Sequence, residues 1–596
     1  MTLVSTCRLS RLGPQHSKST LAHLTITLLL LLFTISTLQA APVHPVSKLA
    51  ADLAGYPVNP DGTVDVIIQF TEKPQARHFE MMASHGAKLK FAFEQLNGAA
   101  YRIPVKMLAF LENHPDVAYV SPDRVNKAAW DDEIPAVMDN VVRQQYALDG
   151  SGIGIAVVDS GVYPHDDLKN ASGTASRVVY SESFVVGDSA TTDLYGHGTH
   201  VAGILAGNGH DSASGYPQQY SGLAPNANII NLRVLDKNGA GTDSQVIAAI
   251  QRAIQLKSTY NIRIINLSLG RPVYEAASQD PLCQEVEAAW KAGIVVVVAA
   301  GNSGRDKSQG TDGYATIQSP GNDSLVITVG ATKTNGTATR LDDFVASYSS
   351  KGPTPVDHVV KPDLVAPGNR IVSLLAPSSY LAVNDSNLTV SPVTLCSISA
   401  LGVNICNTGS SNKYMRLSGT SMATPVVAGA AALMLQKDPT LTPDTIKARM
   451  MKTAWKGYPQ SSWGYDIWGL GYLSQYDIFT IGAGYLDVYS ALQNGDVASG
   501  STASPVAVYN PATGQATLST SSAVSYGNTI TWGSSIVWGN SIVWGPNSIL
   551  NDTIIWGNSI VWGQSGINGN TIIWGASCSG NQGTVNALSD GEDGEN

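Results

Sequence analysis

Three short strings in this 596-residue chain carry side chains that together could break an amide bond. Ser421 lies in G-T-S-M-A-T-P, His197 opens H-G-T-H-V-A-G-I, and Asp159 is followed by Ser160 and Gly161 after the apolar run Ile153 to Val158. A serine attacks a carbonyl only with a base to take its proton, an acid to orient that base and donors for the developing oxyanion. The tripeptide at Asp159 is weak by itself, because aspartates often end strands for local hydrogen-bonding reasons. The string around Ser421 is far more specific: a fixed seven-residue match arises by chance in a chain of this length with a probability on the order of 10⁻⁶. There Ser421 opens a helix of small residues running to Leu435, which aims its own N–H and the positive helix end at an anion. Pro425 is expected in the first helical turn, where a missing N–H does little harm. Of the two histidines, His197 precedes its helix and can face a cleft, whereas His200 is expected to pack within it. Their spacing is not the H-E-x-x-H of a zinc site.

Taken in the order Asp159, His197, Ser421, these strings resemble the subtilisin-like (subtilase) serine peptidases. The resemblance implies a secreted serine endopeptidase that works through an acyl-enzyme, acts on polypeptides as a monomer and needs no cofactor for catalysis. It implies further residues. A-A-G-N-S-G at 299–304 resembles the family's oxyanion segment, with Asn302 as side-chain donor beside the Ser421 N–H. Ser268, Leu269 and Gly270 resemble one wall of the primary pocket, and Ala299, Ala300 and Gly301 the other. Gly239 and Gly241 resemble the ends of the edge segment that pairs with an extended peptide, a main-chain mode that tolerates many sequences. The uncharged walls favour apolar or aromatic substrate side chains, and Gln318 is expected to narrow the floor. Asp167, in H-D-D-L, resembles a calcium-ligand position of some relatives, so a structural calcium is compatible with the chain; the loop Gly207 to Gly222 departs in length from compact members. Residues 376–413 read as an insertion able to shape the site.

These residues must be held by a framework. Between residues 130 and 494 short Val/Ile-rich runs alternate with helical segments, the pattern of a mostly parallel sheet buried on both faces, and hence of an α/β three-layer sandwich. Ahead of it, residues 60–128 read β-α-β-β-α-β, a ferredoxin-like order; in this position the segment resembles the family's inhibitor-like propeptide, which implies self-cleavage between about Asn126 and Asp139. Residues 1–40 carry Arg8, Arg11 and Lys18 before an apolar stretch and read as a signal peptide, with no later run apolar enough to span a bilayer. A Ser/Thr/Gly-rich linker is expected at 495–527. At 528–575, Trp532, Trp538, Trp544, Trp556, Trp562 and Trp574 share a register of six; an even period puts them on one side of an extended chain and suggests a small β-solenoid. The acidic tail 576–596 is expected to be disordered.

Bulk properties agree. The net charge of −10 has no basic blocks behind it, so the electrostatic footprint of a nucleic-acid binder is missing. None of the five cysteines has metal-ligand spacing. Export would permit a disulfide closing the short loop from Cys396 to Cys406, while Cys283 and Cys578 could equally stay thiols.

Overall fold

The computed structural model describes residues 47–127 and 145–510, except for 51, 54–55, 94–95, 214–215, 217–218, 309, 336, 338, 391–394, 399–403, 408–411, 460, 467–469 and 499, and beyond 510 only short strand segments as far as 543. The expected signal segment, the repeat beyond Val543 and the acidic tail lie outside the described residues. So do the side chains of the repeat, of which Val537–Trp538 and Ile542–Val543 are described as backbone forming an antiparallel pair.

The first sheet has four strands, β1 (Thr63–Phe70), β2 (Lys88–Ala92), β3 (Gly98–Pro104) and β4 (Val117–Pro122), in the order β2-β3-β1-β4. Helices Ala76–Ser84 and Leu108–Asn113 connect β1 to β2 and β3 to β4. Alternation decides its two faces. Val64, Val66, Ile68, Ala99, Tyr101 and Ile103 point into a core of this unit's own, whereas Ile67 and Ala100, with Phe93 and Leu96, belong to the large core of the domain behind it. Beyond β4 the chain forms β5 (Val125–Lys127).

The second sheet is built from β6 (Gly154–Asp159), β7 (Val178–Ser183), β8 (Asn228–Arg233), β10 (Ile262–Leu267), β11 (Val295–Ala299), β12 (Ile327–Lys333), β13 (Phe344–Val345) and β14 (Leu364–Pro367). β9 (Ala240–Thr242) stands apart from it and pairs with β5. The sheet runs β7-β8-β6-β10-β11-β12-β14 with all neighbours parallel, and only β13 lies antiparallel, on β12. Every residue of β6 and β11 is buried, as the unbroken Val/Ile runs require when helices cover both faces. Those helices include His197–Ala206, Asp243–Tyr260, Pro281–Lys291 and Thr420–Lys437.

Two expectations change. Pro425 is not in the first turn: the helix begins at Thr420 after Gly419, which makes Pro425 its sixth residue. The N–H that Pro425 lacks would have served the Ser421 carbonyl, and the Ser268 hydroxyl donates to that carbonyl instead, at 2.8 Å. Nor is the whole of 495–527 a linker. Thr502 donates through N–H and hydroxyl to Asp444, at 2.7 and 2.9 Å. Ser504 donates to buried Asp363 at 2.5 Å and accepts from the Lys447 ammonium at 2.9 Å. The Val360 N–H donates to the Pro505 carbonyl, and the Ala507 N–H to the His358 carbonyl. Residues 502–507 therefore strap the domain. No helix among the described residues is long and apolar enough to cross a membrane.

Candidate active site

β6, β10 and β11 are adjacent in the sheet, so Asp159, Ser268 and Ala299 emerge side by side at their carboxyl ends, where open α/β sheets collect ligands. The Asp159 Oδ1 lies 2.8 Å from His197 Nδ1, both residues being fully buried, and the Ser160 N–H donates to the same oxygen at 2.7 Å. An acceptor at Nδ1 places the proton there and leaves the Nε2 lone pair for another partner.

His197 is the first residue of its helix rather than the residue before it, with Gly196 as N-cap at φ 112°. The geometry of this turn rests on Asp193, which the sequence reading did not single out. Its Oδ1 accepts from the Tyr195 and Gly196 N–H groups and the Ser160 hydroxyl, and its Oδ2 from the N–H and hydroxyl of Thr199. Burial pushes the Asp193 carboxyl above its ordinary range, against the pull of these donors. His200, one turn on, donates from Nε2 to the Ile371 carbonyl at 2.9 Å, and burial pushes its pKa down to about 3. It is a neutral packing residue, which leaves His197 as the candidate histidine of the site.

Ser421 and Ser268 are bonded reciprocally: the Ser421 hydroxyl donates to the Ser268 carbonyl at 3.0 Å, and the Ser268 hydroxyl to the Ser421 carbonyl. Asn302 is held by Thr420, whose N–H and hydroxyl both donate to its Oδ1 at 2.9 Å; the same hydroxyl accepts from the Gly301 N–H at 3.1 Å. Two donors on Oδ1 fix the amide's orientation, and its Nδ2 is buried with no protein acceptor. An N–H donor buried without a partner beside a serine at a helix start suits an oxygen that acquires charge during reaction. Thr420 was visible in the motif but its role was not.

Gln318 lies between the two expected pocket walls. A Cβ on Gly270 would stand 2.9 Å from its Oε1, and one on Gly301 2.8 Å from its Cγ, so both glycines admit this side chain. On the far side β9 pairs antiparallel with β5, with Val125 opposite Thr242, Asn126 opposite Gly241 and Lys127 opposite Ala240. Around this junction the Asp123 carboxylate accepts from the N–H and hydroxyl of Ser244, in the first turn of helix Asp243–Tyr260. Buried Arg124 reaches both Asp52 and Glu275. In the insertion, Cys396 and Cys406 face each other across an antiparallel strand pair.

Asp167, at the position where the resemblance allows a calcium, faces hydrogen-bond donors. His165, Asp167 and Asp211 cluster closely enough to hold a cation, but their atoms face protons. Asp167 accepts from the Tyr414 hydroxyl at 2.6 Å and the Asp211 N–H at 2.8 Å. His165 Nδ1 accepts from the Asp167 N–H, while Nε2 lies 3.1 Å from the Lys413 carbonyl. The Lys413 ammonium, 3.2 Å from Asp211 and 3.4 Å from Asp166, supplies the positive charge. A hard cation wants converging oxygens, not donors.

Comparison with known proteins shows the family of this chain. Residues 150–476 match the model of the subtilase family. The serine protease AprX of Bacillus subtilis (strain 168) is 38% identical over 396 residues, covering 64% of this chain and 81% of that protein. Subtilisin DY of Bacillus licheniformis is 35% identical over 321 residues, 54% of this chain and 90% of that one. Among solved structures, fervidolysin from Fervidobacterium pennivorans, a keratinolytic enzyme, superposes with a TM-score of 0.51 at 20% identity, over 75% of this chain and 64% of that one.

Proposed function

Because this chain belongs to the subtilase family and is a serine-type endopeptidase, we propose that Ser421, His197 and Asp159 form its catalytic triad, with Asn302 as oxyanion donor. Ser421 Oγ attacks the scissile carbonyl carbon. The Ser421 hydroxyl turns from the Ser268 carbonyl, to which it donates in the structure, toward His197 Nε2, which takes its proton, and Asp159 keeps the imidazole in the tautomer that can take it. The carbonyl oxygen, now negative, is met by Asn302 Nδ2 and the Ser421 N–H. The amine leaves with the proton from His197, and water then repeats the sequence on the acyl-enzyme. The carrying observation is the 2.8 Å contact between Asp159 and His197 at the strand ends from which Ser268 also emerges.

The substrate lies as an extended strand on β9, its primary side chain between 268–270 and 299–301 over Gln318, which favours apolar groups of moderate size. The ferredoxin-like unit acts as the inhibitor propeptide. Its support is the occupation of β9 by the unit's own β5, with Asp123 bonded to the first turn of the next helix. Self-cleavage follows within the stretch from Asn126 to Asp139, and export depends on residues 1–40. The opposed register of Cys396 and Cys406 supports a disulfide, since directly paired antiparallel residues have the Cα separation one needs.

Ser421→Ala tests the assignment. Turnover of casein falls by about 10⁶ and the precursor accumulates uncut, because triad members act as a unit. Labelling by a fluorophosphonate disappears with it. A variant that still digests casein and matures normally refutes the triad.

A further inference from the structure

The insertion at 376–413 brings an aromatic ring to the lip of the cleft. Its helix Tyr380–Asn384 starts after Ser379 and is tied directly to the turn that carries the catalytic base: the Tyr380 N–H donates to the Leu194 carbonyl at 2.9 Å and the Leu381 N–H to the Tyr195 carbonyl at 3.1 Å. Contact is close enough that a Cβ on Gly196, the residue before His197, would meet Ser379 Oγ at 2.6 Å. The Tyr380 ring stacks on Tyr195, with centroids 5.9 Å apart and planes 30° from parallel. Tyr195 is in turn packed under Gly239, where an added Cβ would fall 2.3 Å from its ring. Of the two rings Tyr195 is the covered one, 7% exposed, and Tyr380 the open one at 48%.

This arrangement bears on substrate because of the direction of the strand seated on β9. Lys127 lies opposite Ala240 with the chain running from Thr242 toward Gly239. A peptide continuing on that path reaches Gly239, against which the ring of Tyr195, two residues before His197, is packed with Tyr380 stacked on it. Tyrosines offer a large, rigid apolar face at low entropic cost, and a residue such as Tyr380, already ordered by its backbone bonds, pays little to receive a side chain.

We propose that Tyr380, carried by the insertion and backed by Tyr195, is a specificity-determining residue that selects an apolar side chain on the substrate residue immediately preceding the primary-pocket residue (P2). The proposal rests on the peptidase reading of the cleft. It concerns a contact supplied by the insertion, apart from the triad and the primary pocket.

The test uses the mature enzyme from the full-length chain and fluorogenic peptides alike except for Leu, Gly or Asp at P2. Wild type should prefer Leu over Gly by about five- to tenfold in kcat/KM, the size of one aromatic contact. Tyr380→Ala should bring that ratio to within about twofold while leaving the Gly peptide unaffected, and Tyr380→Phe should keep the preference. An unchanged Leu/Gly ratio in Tyr380→Ala overturns the proposal, as does an equal loss on both peptides, which marks a structural role, or a change that follows the residue after the scissile bond instead. Failure of wild type to cut any of the three peptides would strike the peptidase reading and not Tyr380.

Discussion

Thr420→Val isolates a positioning role that Asn302 depends on. Valine keeps the shape of threonine and removes only the hydroxyl, which accepts from the buried Gly301 N–H and donates to Asn302 Oδ1. The first loss is thermodynamic: an orphaned buried N–H costs about 1–3 kcal/mol, which lowers the melting temperature by roughly 2–4 °C per kcal/mol in a domain of this class. The second is catalytic. Asn302 keeps the backbone donor from residue 420, so its amide is loosened rather than lost. The expected fall in kcat is about 5–30-fold, below the 10² to 10³ typical of deleting an oxyanion donor outright. kcat and KM are measured on one chromogenic peptide with active sites counted by fluorophosphonate, which removes unfolded protein from the comparison. The decisive measurement is a double-mutant cycle with Asn302→Ala. If Thr420 acts through Asn302, Thr420→Val costs almost nothing in kcat once Asn302 is gone, although the stability loss persists. Additive losses in kcat would refute the reasoning, since they would mean that Thr420 reaches the transition state by another route.

Gln318→Gly opens the floor between Gly270 and Gly301, and should raise kcat/KM for a Phe or Tyr primary side chain relative to Ala by about 1–2 kcal/mol; a profile unchanged across a peptide library would put the pocket elsewhere. Burial pushes the Glu285 carboxyl up to about 7 against one hydrogen bond from Gln251. A raised carboxyl in the folded state contributes stability below the unfolded value near 4.5 that is lost as pH rises through about 7. Glu285→Gln, in a Ser421→Ala precursor, should thus be more stable than its parent at pH 8–9, by up to about 3 kcal/mol, and no more stable at pH 4; chemical denaturation at both values decides. Lys413→Met leaves Asp211 without its lysine, while Asp166 keeps Lys169, and should cost about 1 kcal/mol. Millimolar calcium should recover part of that loss and leave the wild-type melting temperature unmoved, and a wild type destabilised by chelation only while Lys413 is present would contradict the donor geometry.

The sequence made some parts of this site legible and hid others for definite reasons. Ser421 and His197 stood in strings of small residues that only close helix packing requires, and the strands were readable because burial on both faces leaves unbroken Val/Ile runs such as β11. Asp193 was not legible: an aspartate four residues before a histidine is unremarkable until the turn folds its donors around the carboxylate. Pro425 misled for a related reason, since the rule that confines proline to a first turn assumes that no outside group can replace its N–H, and here Ser268 does so from more than 150 residues away. The Ser/Thr-rich composition after Gly500 describes a linker and a docked strap equally well. What separates them is the buried Lys447 and Asp363 that receive Ser504. The resemblance at Asp167 concerned one ligand of a site, and Tyr414, far along the chain, together with the Asp211 N–H decides what that carboxylate faces.

The reciprocal bonding of Ser268 and Ser421 has a mechanical corollary. Pro425 leaves a hole in the hydrogen-bond ladder of the proposed nucleophile's helix, and the plug for that hole is Ser268, a residue of the proposed pocket wall. Wall and helix are thereby bolted to each other by the Ser268 hydroxyl, a bond that persists when the Ser421 hydroxyl leaves the Ser268 carbonyl to give up its proton. A peptide that pushes on the wall cannot displace it without moving the atom that must strike. Misfit of the primary side chain is then registered as misalignment of attack, in kcat as well as in KM. Selectivity and turnover share one joint, and a change meant to retune the first will be paid out in the second.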